Sequence, residues 1–358
     1  MGNGSSTGAV GAGAASAGAA AAGTWRLGDL EVNRMGFGAM RLPQTWTRAS
    51  AWPVFRRPDG GRASLPSVEI TTQVIGGPGG RPITVDSADV TGFPVLVHGG
   101  SPGSRRLFGP AVESAARHGL RLISYDRPGY GGTPPVPGRT VADAAVETRA
   151  IAGALGLTRI GVWGFSGGGM FALGCAAAAP DLVAAAAVLA SFAPYGMPGL
   201  DWAGGWPDPA RREVELFFSD RAAARENWRA DAAGQYPSVS TPEGWLDRWG
   251  DAAGKDAAHS REVAEYLALL VQDGMRQGDQ GWWDDWAAAL TPWGCDVREI
   301  RVPVQLWHGE NDRAVPVGHG RWLAANVPGI DAHITGDDHS TIDDAHRDET
   351  YAWLARHA

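Results

Sequence analysis

Residues 160–168 read IGVWGFSGG and contain the most informative pattern for the fold. The first part of this stretch, Ile160–Trp163, is apolar and typical of a buried β-strand, and a helix is predicted from Gly168 onward. Between them, Gly164, Ser166 and Gly168 form a Gly-x-Ser-x-Gly pattern. Glycines on either side let neighbouring backbone pass close to a strained turn that lifts the serine hydroxyl above the strand end. The pattern therefore indicates that Ser166 is a nucleophile.

Short apolar strands alternate with helices on both sides of this stretch. We predict strands at 67–75, 81–86, 93–97, 121–125, 160–163, 183–189, 302–307 and 331–335. We predict helices at 107–118, 141–155, 168–179, 318–325 and 344–357. Crossover connections between such strands produce a mostly parallel, doubly wound sheet that helices cover on both faces. The predicted fold class is therefore α/β.

The alternation stops between about residues 195 and 290. This segment is helical in pattern and holds eight of the 16 tryptophans: Trp202, Trp206, Trp228, Trp245, Trp249, Trp282, Trp283 and Trp286. An all-helical block between two β/α halves predicts an inserted cap, whose tryptophans we expect to pack against the sheet. The predicted organisation is an N-terminal extension at 1–66, an α/β core at 67–194 and 291–358, and a helical cap at 195–290.

Two polar residues that could serve Ser166 come late in the chain. Asp312 follows the penultimate predicted strand, and His339 lies in the loop after the last one. Parallel strands place their carboxyl ends at one edge of the sheet, where α/β proteins bind ligands. There, His339 would take the proton of Ser166, while Asp312 would orient the imidazole and stabilise its charged form. Glu310 and Asp337 are weaker candidates for the acidic residue.

From about Ser67 to its C-terminus the chain resembles the α/β-hydrolase superfamily. The resemblance rests on the Ser166 pattern and on three other stretches: HGGSPGS at 98–104, DRPGYG at 126–131, and VPV at 302–304 leading through His308-Gly309 to Asp312. It implies an oxyanion hole made by the amide of Gly167 and by a second amide in the turn after His98-Gly99. Gly100 is the expected second donor. The commoner form of this turn in the family is His-Gly-x-Pro-Gly, and this chain has one more residue before Pro102. Ser101 is therefore the alternative donor.

Several other reactive side chains are assigned structural roles. His98, Asp126 and Arg127 are expected to brace loops rather than to react. Cys175 and Cys295 are too few and too far apart to indicate a disulfide framework, so we expect reduced, partly buried thiols.

The N-terminal extension has three parts of different character. Residues 1–23 are a low-complexity Gly/Ala/Ser tail, expected to be disordered, and residues 44–65 have the composition of a linker. Between them, residues 24–43 resemble the first barrel strand of aldo-keto reductases through GFGAMRL at 36–42. No catalytic residues of that family can be placed afterwards, so this resemblance is interpreted as vestigial.

Composition narrows the possible partners. The formal net charge is −8 and no basic run is present, which disfavours nucleic acid and anionic membranes. The sequence has no run of about 18 or more strongly apolar residues, so a transmembrane helix is not expected. The N-terminus also lacks the pattern of a signal peptide. A cytoplasmic protein that needs no metal or cofactor and acts on a small molecule is expected; the oligomeric state stays open.

The residues thus predict a serine hydrolase that cleaves an ester or small amide through an acyl-enzyme. An aminopeptidase-like activity, carbon–carbon bond hydrolysis and cofactor-free haloperoxidation are alternatives on the same fold. A non-catalytic binding protein is the alternative from another class, and the Ser166, Asp312 and His339 set argues against it. An aldo-keto reductase activity would rest on residues 24–43 alone.

Overall fold

The computed structural model describes Met1 and residues 24–27, 30–33, 68–249 and 257–358. Its strands are β1 (Thr24–Leu27), β2 (Leu30–Asn33), β3 (Ile70–Gly76), β4 (Pro82–Ala88), β5 (Phe93–His98), β6 (Leu120–Tyr125), β7 (Ile160–Phe165), β8 (Val183–Leu189), β9 (Val304–Gly309) and β10 (Asp331–Thr335). Its α-helices are α1 (Gly109–Arg117), α2 (Ala144–Ala154), α3 (Gly167–Ala178), α4 (Asp208–Ser219), α5 (Arg221–Val239), α6 (Pro242–Trp249), α7 (Ala257–Gly274), α8 (Gln280–Leu290), α9 (Val317–Asn326) and α10 (Ile342–Arg356).

Eight of the strands form one sheet in the order β10-β9-β8-β7-β5-β6-β4-β3. Strand β4 pairs antiparallel with β3 and β6, whereas the pairs from β6 through β10 are parallel. Every residue of β8, VAAAAVL, is buried, which suits a central strand covered on both faces. The predicted α/β class with a mostly parallel sheet is confirmed.

The two faces of the sheet carry separate hydrophobic cores. Because neighbouring residues of a strand point to opposite faces, Val95 and Leu96 of β5 belong to different cores. Helices α2 and α3 cover the face of Leu96, with Phe171 packed there, and α1 and α10 cover the other, with Leu354. Each predicted core strand and helix is present, with ends shifted by three residues or fewer.

The chain between β8 and β9 forms the helices α4 to α8 in its described part. Of the eight tryptophans at 195–290, six are buried within the described part of the chain, as the predicted packing role requires: Trp202, Trp206, Trp228, Trp282, Trp283 and Trp286. Their rings contact each other, for example Trp228 and Trp286, whose ring centroids lie 5.5 Å apart. Helix α8 also packs on α3 and so joins this segment to the core. The boundaries 195 and 290 stay predictions.

Most of the predicted N-terminal extension lies outside the described residues. Strands β1 and β2 pair antiparallel, with Thr24 opposite Asn33. The stretch 36–42, which carries the resemblance to aldo-keto reductases, is not among the described residues, nor are the predicted linker at 44–65 and, apart from Met1, the predicted tail at 1–23. Within the described part of the chain, no helix is long and apolar enough to cross a membrane.

Candidate active site

Ser166 occupies a sharp turn between β7 and α3. Its backbone has φ of 56° and ψ of −128°, a conformation that non-glycine residues seldom adopt. The turn is held by its surroundings, since the Ser166 amide donates to the carbonyl of Leu189 at 2.9 Å. Such strain persists only where neighbouring structure fixes it, and it is concentrated at functional sites.

The flanking glycines are required by close backbone approaches. A Cβ on Gly164 would lie 2.6 Å from the carbonyl oxygen of Gly168. A Cβ on Gly168 would lie only 1.9 Å from the carbonyl oxygen of His98, at the end of β5. Both distances are far below van der Waals contact, so no larger residue fits. The Gly-x-Ser-x-Gly pattern is thus explained by packing at the point where α3 begins.

His339 and Asp312 meet Ser166 at the carboxyl edge of the sheet. Asp312 follows β9 and His339 follows β10, and these two strands are parallel neighbours. The Nε2 atom of His339 lies 3.1 Å from Oγ of Ser166, and its Nδ1 lies 2.8 Å from Oδ2 of Asp312. All three residues are buried. The structure therefore brings the three predicted residues into one hydrogen-bonded line.

The carboxylate of Asp312 is fixed by backbone amides. Its Oδ1 accepts hydrogen bonds from the amides of Ala314 and Val315 at 2.9 and 2.7 Å, which leaves Oδ2 facing His339. His308 stands on the other side, 3.8 Å from Oδ2, and its Nε2 lies 2.8 Å from the Val315 carbonyl. Burial lowers the pKa of His308, so this neighbour is held neutral.

The two weaker candidates for the acid point elsewhere. Glu310 is exposed and pairs with Arg321 at 3.0 Å. Asp337 accepts from His346 at 2.9 Å, a contact that lowers the pKa of Asp337. Neither carboxylate is paired with His339, so Asp312 alone of the three candidates is placed beside it.

The turn after β5, residues 99–103, packs against the Ser166 turn and is here called the glycine turn. Arg127 donates to the carbonyl oxygens of Gly99 at 2.6 Å and Gly100 at 3.2 Å. In a trans peptide the N–H points opposite to the C=O, so the amides of Gly100 and Ser101 are directed away from Arg127. A Cβ on Gly167 would lie 2.6 Å from Oγ of Ser101. Both predicted alternatives for the second amide thus lie in a turn that contacts the helix start.

Gly167 is the first residue of α3. The first amides of a helix have no acceptor within the helix and favour negative charge nearby. Its amide is therefore available to an anionic oxygen beside Ser166. The Ser101–Pro102 peptide bond in the facing glycine turn is cis.

The loop-bracing residues have the expected kind of contacts. The Asp126 carboxylate accepts from the backbone amides of Arg105 and Gly132, each at 2.9 Å. The ring of His98 contacts the Tyr125 hydroxyl at 3.3 Å, and burial lowers the pKa of His98 to about 3. Cys175 and Cys295 are both free thiols.

Sequence reasoning missed Asp285 on α8. This buried carboxylate accepts hydrogen bonds from Ser101, from Arg127 at 2.7 Å, from Tyr130 at 2.8 Å and from Arg139. Burial alone would raise its pKa, but the two guanidinium groups outweigh that effect and lower the pKa of Asp285 to about 2. The sequence carries a signal for it, because an acidic residue inside the apolar stretch WWDDW at 282–286 indicates a buried carboxylate that needs a partner.

A cavity of about 240 Å³ opens beside His339 and the glycine turn. Its walls are mainly apolar: Leu107, Phe108, Leu122, Trp163, Phe165, Val239, Trp245, Val263, Leu267, Leu270, Val271 and Trp282. They come from both the α/β core and the helices between β8 and β9. Among the residues the structure describes, no cluster of His, Cys, Asp or Glu is suited to hold a metal ion.

Comparison with known proteins agrees with this architecture. The model of the family described as alpha/beta hydrolase fold matches residues 94–344, well over half of the chain. The matched region begins in β5 and includes Ser166, Asp312 and His339. The chain therefore belongs to the α/β-hydrolase fold family.

Its similar proteins include enzymes with different names. A pimeloyl-[acyl-carrier protein] methyl ester esterase of Xanthomonas campestris is 31% identical over 68% of this chain and 84% of its own. A non-heme chloroperoxidase of Streptomyces lividans is 29% identical over 63% of this chain and 76% of its own. The solved structure of an alpha/beta hydrolase fold protein from Nakamurella multipartita has a TM-score of 0.55 at 25% identity, covering 80% of this chain and 99% of the other.

Proposed function

We propose that this protein is a serine hydrolase that cleaves carboxylic esters through an acyl-enzyme. The observation that carries the proposal is the line of hydrogen-bonding distances from Ser166 through His339 to Asp312. Membership of the α/β-hydrolase fold family and the similarity to a methyl ester esterase support it.

Each residue of the line has a defined chemical task. Ser166 donates its hydroxyl hydrogen to Nε2 of His339 as Oγ bonds to the ester carbonyl carbon. His339 then passes this proton to the leaving alcohol as the carbon–oxygen ester bond breaks. His339 then takes a proton from a water molecule, whose oxygen attacks the acyl carbon, and returns that proton to Oγ of Ser166 as the acyl–Oγ bond breaks and the acid is released. Asp312 accepts from the Nδ1 hydrogen, keeps the required tautomer and stabilises the imidazolium.

Negative charge develops on the carbonyl oxygen during both attacks. The amide of Gly167, with that of Gly100 or Ser101, is proposed to donate hydrogen bonds to this oxygen. Removing one such donor typically lowers kcat about 10²–10³-fold. The glycine turn lines the cavity beside His339, so a substrate carbonyl in the cavity is within reach of these groups.

The charges around the cavity support a proposal for the substrate class. Arg347 pairs with Asp343 at 2.7 Å and with Asp344 at 2.8 Å, and Arg106 pairs with Asp273 at 2.5 Å. The guanidinium groups at the cavity wall are thus already neutralised by carboxylates. A free carboxylate on the substrate would lose hydration without gaining a cation, which is costly. We propose an ester whose parts are apolar and uncharged.

Matched esters test this proposal. We expect turnover of p-nitrophenyl hexanoate, and a kcat/KM at least about tenfold lower for the p-nitrophenyl monoester of adipic acid, which has the same chain length but ends in a carboxylate. Ser166→Ala should abolish both activities while the protein stays folded. Preference for the charged ester would overturn the assigned substrate class. Equal hydrolysis by Ser166→Ala would overturn Ser166 as the nucleophile and, with it, the proposed acyl-enzyme.

Haloperoxidation is the second candidate, because one similar protein carries the name non-heme chloroperoxidase. It would use the same acyl-enzyme, attacked by hydrogen peroxide instead of water, and the released peracid would oxidise the halide to hypohalous acid while being reduced to the carboxylic acid. A halogenation assay with acetate, bromide and hydrogen peroxide separates the two. Halogenation faster than ester hydrolysis, and lost in Ser166→Ala, would favour the second candidate.

A further inference from the structure

The glycine turn is tied to helix α8 through one carboxylate. Asp285 accepts hydrogen bonds from Ser101 within the turn and from Arg127 behind it. Arg127 also lies 3.0 Å from Oγ of Ser101, so the three side chains form a closed triangle. Asp285 lies 184 positions from Ser101 along the chain and belongs to the segment between β8 and β9.

This triangle fixes the direction of two peptide groups. Arg127 is oriented by Asp285 and in turn binds the carbonyl oxygens of Gly99 and Gly100. Those carbonyls determine where the amides of Gly100 and Ser101 point. A rotation of Arg127 would therefore move both candidate oxyanion donors at once, whichever of them acts.

We infer that Asp285 is a positioning residue that orients the oxyanion-binding amides of the glycine turn through Arg127 and Ser101. The inference rests on the proposed function, because the amides have this task only if Ser166 forms an acyl-enzyme. Asp285 should stabilise the transition state, in which charge develops on the carbonyl oxygen, and should have little effect on substrate binding.

The neighbouring carboxylate Asp284 shows that burial on helix α8 does not by itself produce the contacts of Asp285. Asp284 is equally buried, but its carboxylate accepts from Gln280 at 2.7 Å and is not bonded to the glycine turn within the described part of the chain. The two carboxyls are shifted in opposite directions: burial raises the pKa of Asp284 to about 6, whereas the guanidinium groups keep Asp285 ionised. Asp284→Asn is therefore a matched control for Asp285→Asn.

The test compares KM and the kcat per active site, with the number of active sites measured by titration with a fluorophosphonate. Asp285→Asn should lower kcat about 10- to 100-fold with KM changed less than about threefold, and Asp284→Asn should leave both unchanged. The affinity for a trifluoromethyl ketone, which forms a tetrahedral oxyanion with the serine, should fall in parallel with kcat. A purely structural role would lower the number of titrated sites but not kcat per site, and that result would overturn the inference.

Two milder variants keep the test decisive if Asp285→Asn does not fold. Ser101→Ala and Tyr130→Phe each remove one hydrogen bond to Asp285 and leave its pairs with both arginines. Ser101→Ala should lower kcat per site several-fold at constant KM, and Tyr130→Phe should do so less, because Tyr130 does not belong to the turn. Unchanged kcat in Ser101→Ala would contradict the inference. Failure of the wild type to react with the fluorophosphonate would instead reject the proposed function.

Discussion

The Oδ2 atom of Asp312 lies 2.8 Å from Nδ1 of His339, although 27 positions separate them in the chain. The other carboxylate oxygen of Asp312, Oδ1, accepts hydrogen bonds from two backbone amides, and these bonds fix the orientation of the carboxylate. Asn in this place would turn an N–H toward His339 or lose the backbone contacts.

We therefore predict that Asp312→Asn lowers kcat about 10³–10⁴-fold by favouring the wrong imidazole tautomer, with little change in KM. Asp337→Asn is the control, because Asp337 is paired with His346 in the same region and should keep near wild-type kcat. Ester turnover by both purified variants decides the matter. Equal losses in the two would mean that Asp312 has no special role.

The Ser166 turn should be intolerant of side chains at its glycines. Gly168→Ala would place a Cβ at 1.9 Å from the His98 carbonyl, and we predict a loss of about 3 kcal/mol in the free energy of unfolding, or no folded protein. Gly153→Ala in α2 has open space around the new Cβ and should stabilise the protein by about 0.5–1 kcal/mol. Urea denaturation of both variants measures these effects; a stable Gly168→Ala protein would contradict the described packing.

Buried neutral histidines should make stability depend on pH. Burial lowers the pKa of His98 and of His319 to about 3, from 6.5 in the unfolded chain. The unfolded state then binds more protons below pH 6.5, so their stabilisation is complete above pH 6.5 and is lost as the pH falls toward 3.

Each such histidine contributes a slope of about 1.4 kcal/mol per pH unit. We predict that His319→Phe reduces the slope of unfolding free energy between pH 6 and 4.5 by about this amount. The variant shares all other titrating groups with the wild type, so they cancel in the difference. Parallel curves for the two proteins would show that His319 is not held neutral.

Asp284 should have the opposite effect on stability, lowering the free energy of unfolding as the pH rises. Its pKa is raised by burial to about 6, from 3.8, so the ionised form opposes folding, and this penalty is complete above pH 6. Asp284→Asn keeps an acceptor for Gln280 and should stabilise the protein at pH 7.5 by about 1–2 kcal/mol after allowance for solvent screening. The gain should disappear near pH 4. An equal effect at both pH values would mean that charge is not its origin.

Local patterns were sufficient to predict the core and to place together the three residues that we propose as the catalytic set. The strand and helix periods of residues 93–189 and 302–357 reflect burial on one or both faces, which the sequence records directly. Ser166, Asp312 and His339 each follow a strand, and strand direction alone places them at one edge. Their assignment needed no knowledge of side-chain contacts.

Contacts across long distances in the chain were not predictable. The hydrogen-bonding partners of Asp285 include Ser101, Arg127 and Arg139, which lie 184, 158 and 146 positions earlier in the chain. Strand ends were also imprecise: β7 continues to Phe165 because its pairing with β8 extends to Leu189. Pairing partners, rather than local composition, determine where a strand stops.

The most direct test of the central claim is intact-mass labelling with a fluorophosphonate, because only an activated serine reacts with it. We expect one adduct per chain on the wild-type protein and none on folded Ser166→Ala. An adduct of equal extent on Ser166→Ala, or no adduct on folded wild-type protein, would contradict the assignment of Ser166 as the nucleophile.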